Sequence, residues 1–302
     1  MLHVDAAPRL ADLTTLRLGG ACVARIRFSP GEADAVPALV TRLGGRPVPF
    51  GGGSNILAVG GEENATLLCP VCAQSPQIAG TDADGHVLAR VDAGMRLSRL
   101  LAWCAHSGLS GLEGLAGVPG LVGGAIAGNA GSFGSDMAGV LRRVGVFSAE
   151  QGALDFPVEE MRAGYRHFSI PALERNAPET GKAWHVITHA LFAFKPLAPG
   201  SVMANMRAAV RRKLQSQPVR AHSAGCVFKN PGSVSAGKLL EEAGFRGKRL
   251  GGMAFSAVHA NFLVNAGGGT PEQALELVQQ ARETVLRVHG VELQPEVRIW
   301  DS

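Results

Sequence analysis

Apolar and basic residues alternate over residues 23–28, the period of a half-buried β-strand. Ser29, Pro30 and Glu32 then supply a capping serine, a proline in first helical position and an acid at the third. A helix is therefore predicted from there to a stop near Gly44-Gly45. A short strand over 47–50 runs directly into Gly51-Gly52-Gly53-Ser54-Asn55. Residues 87–92 are predicted to form another strand, followed by a helix with Leu97, Leu100, Leu101 and Cys104 on one face and Gly108 as its stop. Between Gly108 and Gly134 glycine recurs so often that regular structure is not expected across most of the segment. Residues 144–184 read as strand-like pieces with turns, and 186–194 as a strand.

The pattern changes near 196–200. Met203, Met206, Val210 and Leu214 mark a helix, 236–243 another, and Thr270-Pro271-Glu272-Gln273 is a capping box. The helix it opens carries Ala274, Val278, Ala281, Val285 and Val288 on one stripe and ends at Gly290. The tail over 291–300 alternates again and is expected to pair with an earlier strand. These changes place boundaries near 76 and 199, with the tail returning across them.

Hydrophobic residues make up 46% and charged residues 18% of the 302, enough for a sizeable core and not the composition of a disordered chain. Glycine is the excess: 40 residues, about 13%, against a usual share of roughly 7%. A net charge of +4 does not imply nucleic acid, and aromatics at 5% are too few for the stacking that single strands require. Residues 201–250 nonetheless hold ten Lys or Arg against Glu241 and Glu242, a segment suited to an anionic ligand or to a solvated basic face. No stretch has the form of a secretory signal or reaches the ~18 apolar residues of a membrane span. With five cysteines, an odd number, the expectation is a reduced, cytoplasmic protein, and a monomer is expected. Cys69 and Cys72 form a lone CxxC without a second ligand pair, so no metal site is expected, only two buried thiols in a strand-and-turn segment.

Candidate chemistry lies in the glycine loops. In GGGSN, flexible backbone lets several N–H groups converge on an anion while Ser54 and Asn55 add hydrogen bonds, although an isolated triplet also fits a plain hairpin. Neither GxGxxG nor GxxxxGK[ST] occurs here, so a Rossmann NAD fold is not supported. In the second loop Gly114, Gly117 and Gly120 recur every third residue, followed by Gly123, Gly124, Gly128, Asn129 and Gly131. Tight packing explains some of these glycines; a flat ligand laid against bare backbone explains a run of this length better.

The chain resembles the UDP-N-acetylenolpyruvoylglucosamine reductase family. The likeness is carried by TTLRLGG at 14–20, FGGGSNIL at 50–57, GLSGLEGLAGVPGLVGGAIAGNAG at 108–131, YR at 165–166, SAGCVFKNP at 223–231, AGKLLEEAG at 236–244, HANFLVN at 259–265 and EVRIW at 296–300, in family order across nearly the whole chain. The resemblance implies an α+β protein with an FAD-binding two-domain fold of the vanillyl-alcohol-oxidase type, parted at 1–76 and 77–199, then an α/β substrate domain at 200–290 and a returning strand at 291–302. It implies FAD and NADPH as cofactors, with NADPH leaving before the enolpyruvyl sugar nucleotide takes its place.

By the same resemblance, Gly51, Gly52, Gly53, Ser54 and Asn55 are expected to hold the FAD pyrophosphate. Gly117, Val118, Pro119, Gly120, Gly123, Gly124 and Asn129 are expected to line the rest of the flavin site. Hydride addition at C3 of the enolpyruvyl group leaves negative charge on C2 and the carboxylate. Arg166 and Glu296 match the family's catalytic arginine and glutamate; Arg166 can pair bidentately with a carboxylate, and Glu296 would have to be protonated to serve an enolate. Cys226 stands where the family pattern has serine as general acid, and a thiol with an ordinary pKa of about 8.5 is the stronger acid of the two. Lys213, Asn230, Lys238 and His259 are the expected substrate contacts. Tyr165 is the chain's single tyrosine, which places it with the subfamily lacking a tyrosine-bearing loop. Two other readings follow from the same residues: another flavin oxidoreductase of this fold, and a non-catalytic sugar-nucleotide sensor.

Overall fold

The computed structural model describes residues 2–60, 62–175 and 184–300, so residues 176–183 of the strand-and-turn stretch lie outside the described residues. Backbone contacts divide the chain into two units, each discontinuous in sequence. One comprises Met1–Ala6, Val23–Gly51 and Ala65–Arg211; the other comprises Ala7–Cys22, Gly52–Asn64 and Arg212–Ser302.

In the first unit, Ala24–Phe28 buries Ala24, Ile26 and Phe28 and turns Arg25 and Arg27 outward, where both meet Asp5 on the neighbouring strand His3–Ala6. Its other neighbour, Ala65–Pro70, is parallel and buried at every position, as befits a strand flanked by parallel partners. Arg46–Pro49 completes this four-stranded sheet. Ser29 and Glu32 form the predicted capping box, but the turn it opens, Pro30–Ala35, is 3₁₀, and Val36–Leu43 continues as α-helix to Gly44. The Ser29 N–H and hydroxyl hold the Glu32 carboxyl down at about 2.

A second sheet in this unit is antiparallel throughout, in the order Gly152–Pro157, Leu141–Ser148, His185–Pro196, Val87–Asp92, Gln77–Thr81. Leu97–Ser107 follows the predicted helix closely and packs Leu97, Leu100, Leu101 and Cys104 into the core beside Phe192 and Phe194. Each buried leucine contributes about 2 kcal/mol. Burial also raises the Cys104 thiol to about 12, so this cysteine is a core residue and no nucleophile.

The second unit has the antiparallel strand order His222–Cys226, Phe262–Asn265, Met253–Phe255, Arg249–Leu250, with helices Ala236–Glu242 and Pro271–His289. The long helix begins at the Thr270 capping box and ends at Gly290 in the left-handed region, as its sequence dictates. The alternating tail forms Arg298–Trp300, parallel to Ile56–Ala58. The core of this unit contains Leu16, Leu57, Phe228, Phe255, Leu277 and Val297 among others. Among the described residues, no helix is long and apolar enough to cross a membrane.

Candidate active site

The second glycine loop is more ordered than its composition predicts. Glu113–Leu115 is a 3₁₀ turn and Val122–Ala127 an α-helix, although it contains two adjacent glycines. Those glycines cost about 1 kcal/mol each in helix propensity; buried Val122 and Ile126, with a Gly123 N–H to Ala93 O bond of 2.8 Å, outweigh them. The glycines also differ in purpose. A Cβ on Gly114 would lie 2.1 Å from the Ser132 carbonyl oxygen and one on Gly123 2.9 Å from the Ala93 Cβ, so internal packing requires both.

Gly124 is different: it is exposed, and a Cβ there would meet nothing within 4 Å. The Cβ position of Gly51, at the head of the first loop, lies 3.6 Å from the Gly124 Cα. The two loops therefore meet at Gly51 and Gly124, and side chains at these positions would fill the bare backbone surface between them. Gly117 and Pro119 are exposed, Val118 and Gly120 half-buried, on the turn leading into the helix. This surface suits a flat or phosphate-bearing group that approaches main chain directly.

Further along the first loop, Gly53 is packed on Leu13 and Thr14, and its carbonyl accepts the Thr15 N–H at 3.1 Å. Gly52 and Ser54 lie beside it, both half-buried. The Asn55 carboxamide donates to the Glu296 carbonyl at 3.1 Å, and the Arg298 N–H donates to the Asn55 carbonyl at 3.0 Å. Asn129 is likewise engaged with protein: only 4% exposed, it donates to Gly164 O at 2.8 Å and accepts from the Ala138 N–H at 3.0 Å.

Gly164 begins the tight turn that carries Arg166, between Arg162–Gly164 and His167–Ser169. Of the two turn residues only Arg166 has positive φ, at 51°, a conformation that costs a non-glycine residue about 1–2 kcal/mol. Its guanidinium donates to Gly131 O at 2.8 Å, which anchors the side chain on the second glycine loop.

In the second unit a β-bulge sets Cys226. Ser223 pairs with Val264 but Cys226 pairs with Phe262, so the extra residue falls between them, and Gly225 there has φ 81°. A bulge of this kind turns the next side chain off the regular alternation. Space for a Cβ on Gly225 is open, so the cost of Gly225→Ala is conformational only. Stability is expected to fall by about 1–2 kcal/mol in denaturant titration.

Directly after Cys226, the Val227 carbonyl accepts the Glu296 N–H at 2.7 Å, and Phe228 bridges Pro295. Cys226 and Glu296, separated by the length of a domain in sequence, thus project from adjoining stretches of backbone, with Asn55 holding Glu296 from its other side.

Three of the four expected substrate contacts gather at the first turn of Ala236–Glu242. Asn230 Oδ1 accepts the Ala236 N–H at 3.0 Å; Gly237 leaves room for the His259 ring, whose Cε1 lies 3.0 Å from its Cβ position; and Lys238 is exposed, 3.7 Å from Glu242. His259 accepts the Asn261 N–H on Nδ1 at 3.2 Å, which leaves Nε2 as the protonated nitrogen of the neutral ring. Burial lowers its pKa, favouring that neutral form.

Lys213 stands apart, on Pro199–Ser216 and only 3% exposed. Burial lowers its pKa to about 8 from the ordinary 10.5. The unfolded chain holds this proton up to about 10.5 and the folded one only to about 8, so Lys213 weakens the fold below about pH 8 and ceases to do so as pH rises to about 10.5. The stability of Lys213→Met relative to the wild type is therefore expected to decline as pH rises from about 8 to about 10.5. Denaturant midpoints of both proteins across the pH series provide the check.

Among the described residues one group, Asp82, Asp84 and His86, clusters possible metal-ligand atoms. Asp82 Oδ1 there accepts the N–H groups of Asp84 and His86, the bonding of a hairpin turn.

Residues 25–149 match the FAD binding domain family, and residues 217–300 match the C-terminal domain of UDP-N-acetylenolpyruvoylglucosamine reductase. The UDP-N-acetylenolpyruvoylglucosamine reductase of Nitratidesulfovibrio vulgaris is 48% identical over 301 residues, covering 99% of both chains. That of Oleidesulfovibrio alaskensis is 47% identical and covers 98% of this chain and 97% of its own. The crystal structure of the reductase from Thermus caldophilus superposes with a TM-score of 0.79 at 29% identity, covering 100% of both chains.

Proposed function

From the premise that the chain belongs to the UDP-N-acetylenolpyruvoylglucosamine reductase family, we propose that Arg166, Glu296 and Cys226 manage the charge and the proton of its reaction. The protein is a flavin-dependent oxidoreductase that reduces UDP-N-acetylglucosamine enolpyruvate to UDP-N-acetylmuramate, with NADPH as reductant, in peptidoglycan synthesis. Its fold is of the FAD-binding type shared with the vanillyl-alcohol-oxidase class. When bound, FAD would be held against the bare main chain at Gly51 and Gly124 and would supply the hydride-transfer chemistry between NADPH and the enolpyruvyl group.

The chain's own residues meet the consequences of that transfer. Arg166, anchored at Gly131, pairs with the substrate carboxylate as negative charge spreads over it and C2. Glu296, in its protonated form, donates to the same developing charge. Cys226 then delivers a proton to C2 from its thiol. Gly51, Gly124 and the exposed turn at Gly117 offer bare main chain for the cofactor, while Lys213, Asn230, Lys238 and His259 serve the sugar nucleotide. Asn129 holds the turn that bears Arg166 through its hydrogen bond to Gly164 O.

The observation that carries this assignment is the Glu296 N–H to Val227 O bond, which places the acid and the thiol on neighbouring main chain. An anaerobic colour test checks it: the flavin-loaded protein is bleached by NADPH, and the enolpyruvyl sugar then restores its yellow colour. A bleached enzyme that only oxygen recolours would show that the sugar is not its substrate.

A further inference from the structure

We infer that Asn261 is a positioning residue for the sugar-reducing half of the reaction: its carboxamide fixes the backbone from which Cys226 and Glu296 project. The inference rests on the roles given above to those two residues, and goes beyond them to a buried side chain whose hydrogen bonds run to backbone.

Phe228 and Pro295 face each other as a non-hydrogen-bonded antiparallel pair, flanked by the Glu296 N–H to Val227 O bond at 2.7 Å and the Lys229 N–H to Gln294 O bond at 2.9 Å. The N–H and C=O of Phe228 consequently point the other way, past the end of the ladder formed by His222–Cys226. Asn261 meets both. Its Oδ1 accepts the Phe228 N–H at 3.0 Å and its Nδ2 donates to the Phe228 carbonyl at 2.8 Å, so the side chain stands in for the peptide group of a strand that has ended. The Asn261 carbonyl also accepts the Val227 N–H at 2.8 Å.

Asn261 is 2% exposed and Phe228 is fully buried, so water does not replace these bonds when they are lost. Three successive bonds therefore lock residues 227–228, one residue past the thiol and directly against the acid. The geometric tolerance of such chemistry is small, since a displacement of about 1 Å costs on the order of 100-fold in rate.

The test uses the flavin-loaded full chain and follows each half-reaction separately by stopped flow. Asn261→Leu is expected to bleach with NADPH at the wild-type rate but to recolour with the enolpyruvyl sugar about 10- to 100-fold more slowly, with a larger solvent deuterium isotope effect because the proton is delivered from a misplaced thiol. Asn261→Asp gives a conditional rescue. A protonated carboxyl can accept from the Phe228 N–H and donate to its carbonyl as the amide does, whereas a carboxylate repels that carbonyl. Recolouring by this variant, relative to wild type, is therefore expected to rise about tenfold or more as pH falls from about 9 to about 6.

A folded Asn261→Leu enzyme that recolours at the wild-type rate, or one slowed equally in both half-reactions, overturns the inference. Where Asn261→Leu fails to fold, Asn261→Asp decides: a ratio to wild type unchanged with pH overturns it. Cys226→Ala run in parallel separates the two levels. If that variant recolours normally, the proton-donor reading falls and this inference with it. If it is inert while both Asn261 variants behave as wild type, only the positioning role is lost.

Discussion

Replacing Cys226 by alanine is expected to slow recolouring by the enolpyruvyl sugar by about 10²–10⁴-fold, while bleaching by NADPH stays at the wild-type rate. The asymmetry follows from where the thiol acts. On the proposed role, the NADPH half-reaction does not call on the thiol, whereas the carbanion at C2 takes its proton from Cys226 at the end of the bulged strand His222–Cys226. Cys226→Ser keeps a donor of similar reach and is expected to recover most of the loss. The two donors differ in acidity, which gives a second check. A thiol is far more acidic than a hydroxyl, so the cysteine enzyme's recolouring rate should fall as pH rises where the serine variant's does not. Wild-type recolouring in Cys226→Ala would remove the thiol from the mechanism.

Much of this architecture is legible in the sequence because local rules and tertiary packing agree. The capping box at Thr270, the apolar stripe behind it and Gly290 define one helix from three independent signals, and the structure places its ends there. Alternation in the tail predicts a strand with an earlier partner; that the partner is Ile56–Ala58 and the pairing parallel is a matter of long-range contact that local pattern does not carry.

The glycine run marks the limit. Gly114 and Gly123 are glycine because of Ser132 and Ala93, while Gly124 opens outward, yet both demands select the same residue and look alike in sequence. The helix Val122–Ala127 is hidden for a related reason, since its stability comes from burial of Val122 and Ile126 rather than from propensity.

Asparagines are harder still. Asn55 and Asn129 invite reading as polar contacts for a cofactor, and the structure gives their side chains backbone partners at Glu296, Gly164 and Ala138. Asn261 sits within HANFLVN without any local signal. Its hydrogen bonds reach 33 residues back along the chain, and nothing in the spacing announces them.

Arg166→Met is expected to reduce sugar-dependent recolouring by about 10²–10³-fold, the loss typical of removing one preorganised donor to a developing oxyanion. A guanidinium carries five donors in a planar fork, so anchoring by one N–H at Gly131 O is compatible with a second, bidentate engagement of the substrate carboxylate. Lysine supplies charge without the fork, and Arg166→Lys is expected to recover only a small part of the activity. The backbone supports a functional reason for arginine here: its turn position has φ 51°, where glycine would be less strained, so presenting this side chain is retained at a conformational cost of about 1–2 kcal/mol. The partition between kinetic constants distinguishes charge stabilisation from simple anchoring of the substrate. If Arg166 acts on the developing charge, the maximal recolouring rate falls and saturation with the enolpyruvyl sugar changes less; if it only holds the ground-state carboxylate, the sugar concentration for half-saturation rises and the maximal rate is preserved. The second outcome would leave Glu296 as the donor that stabilises the enolate.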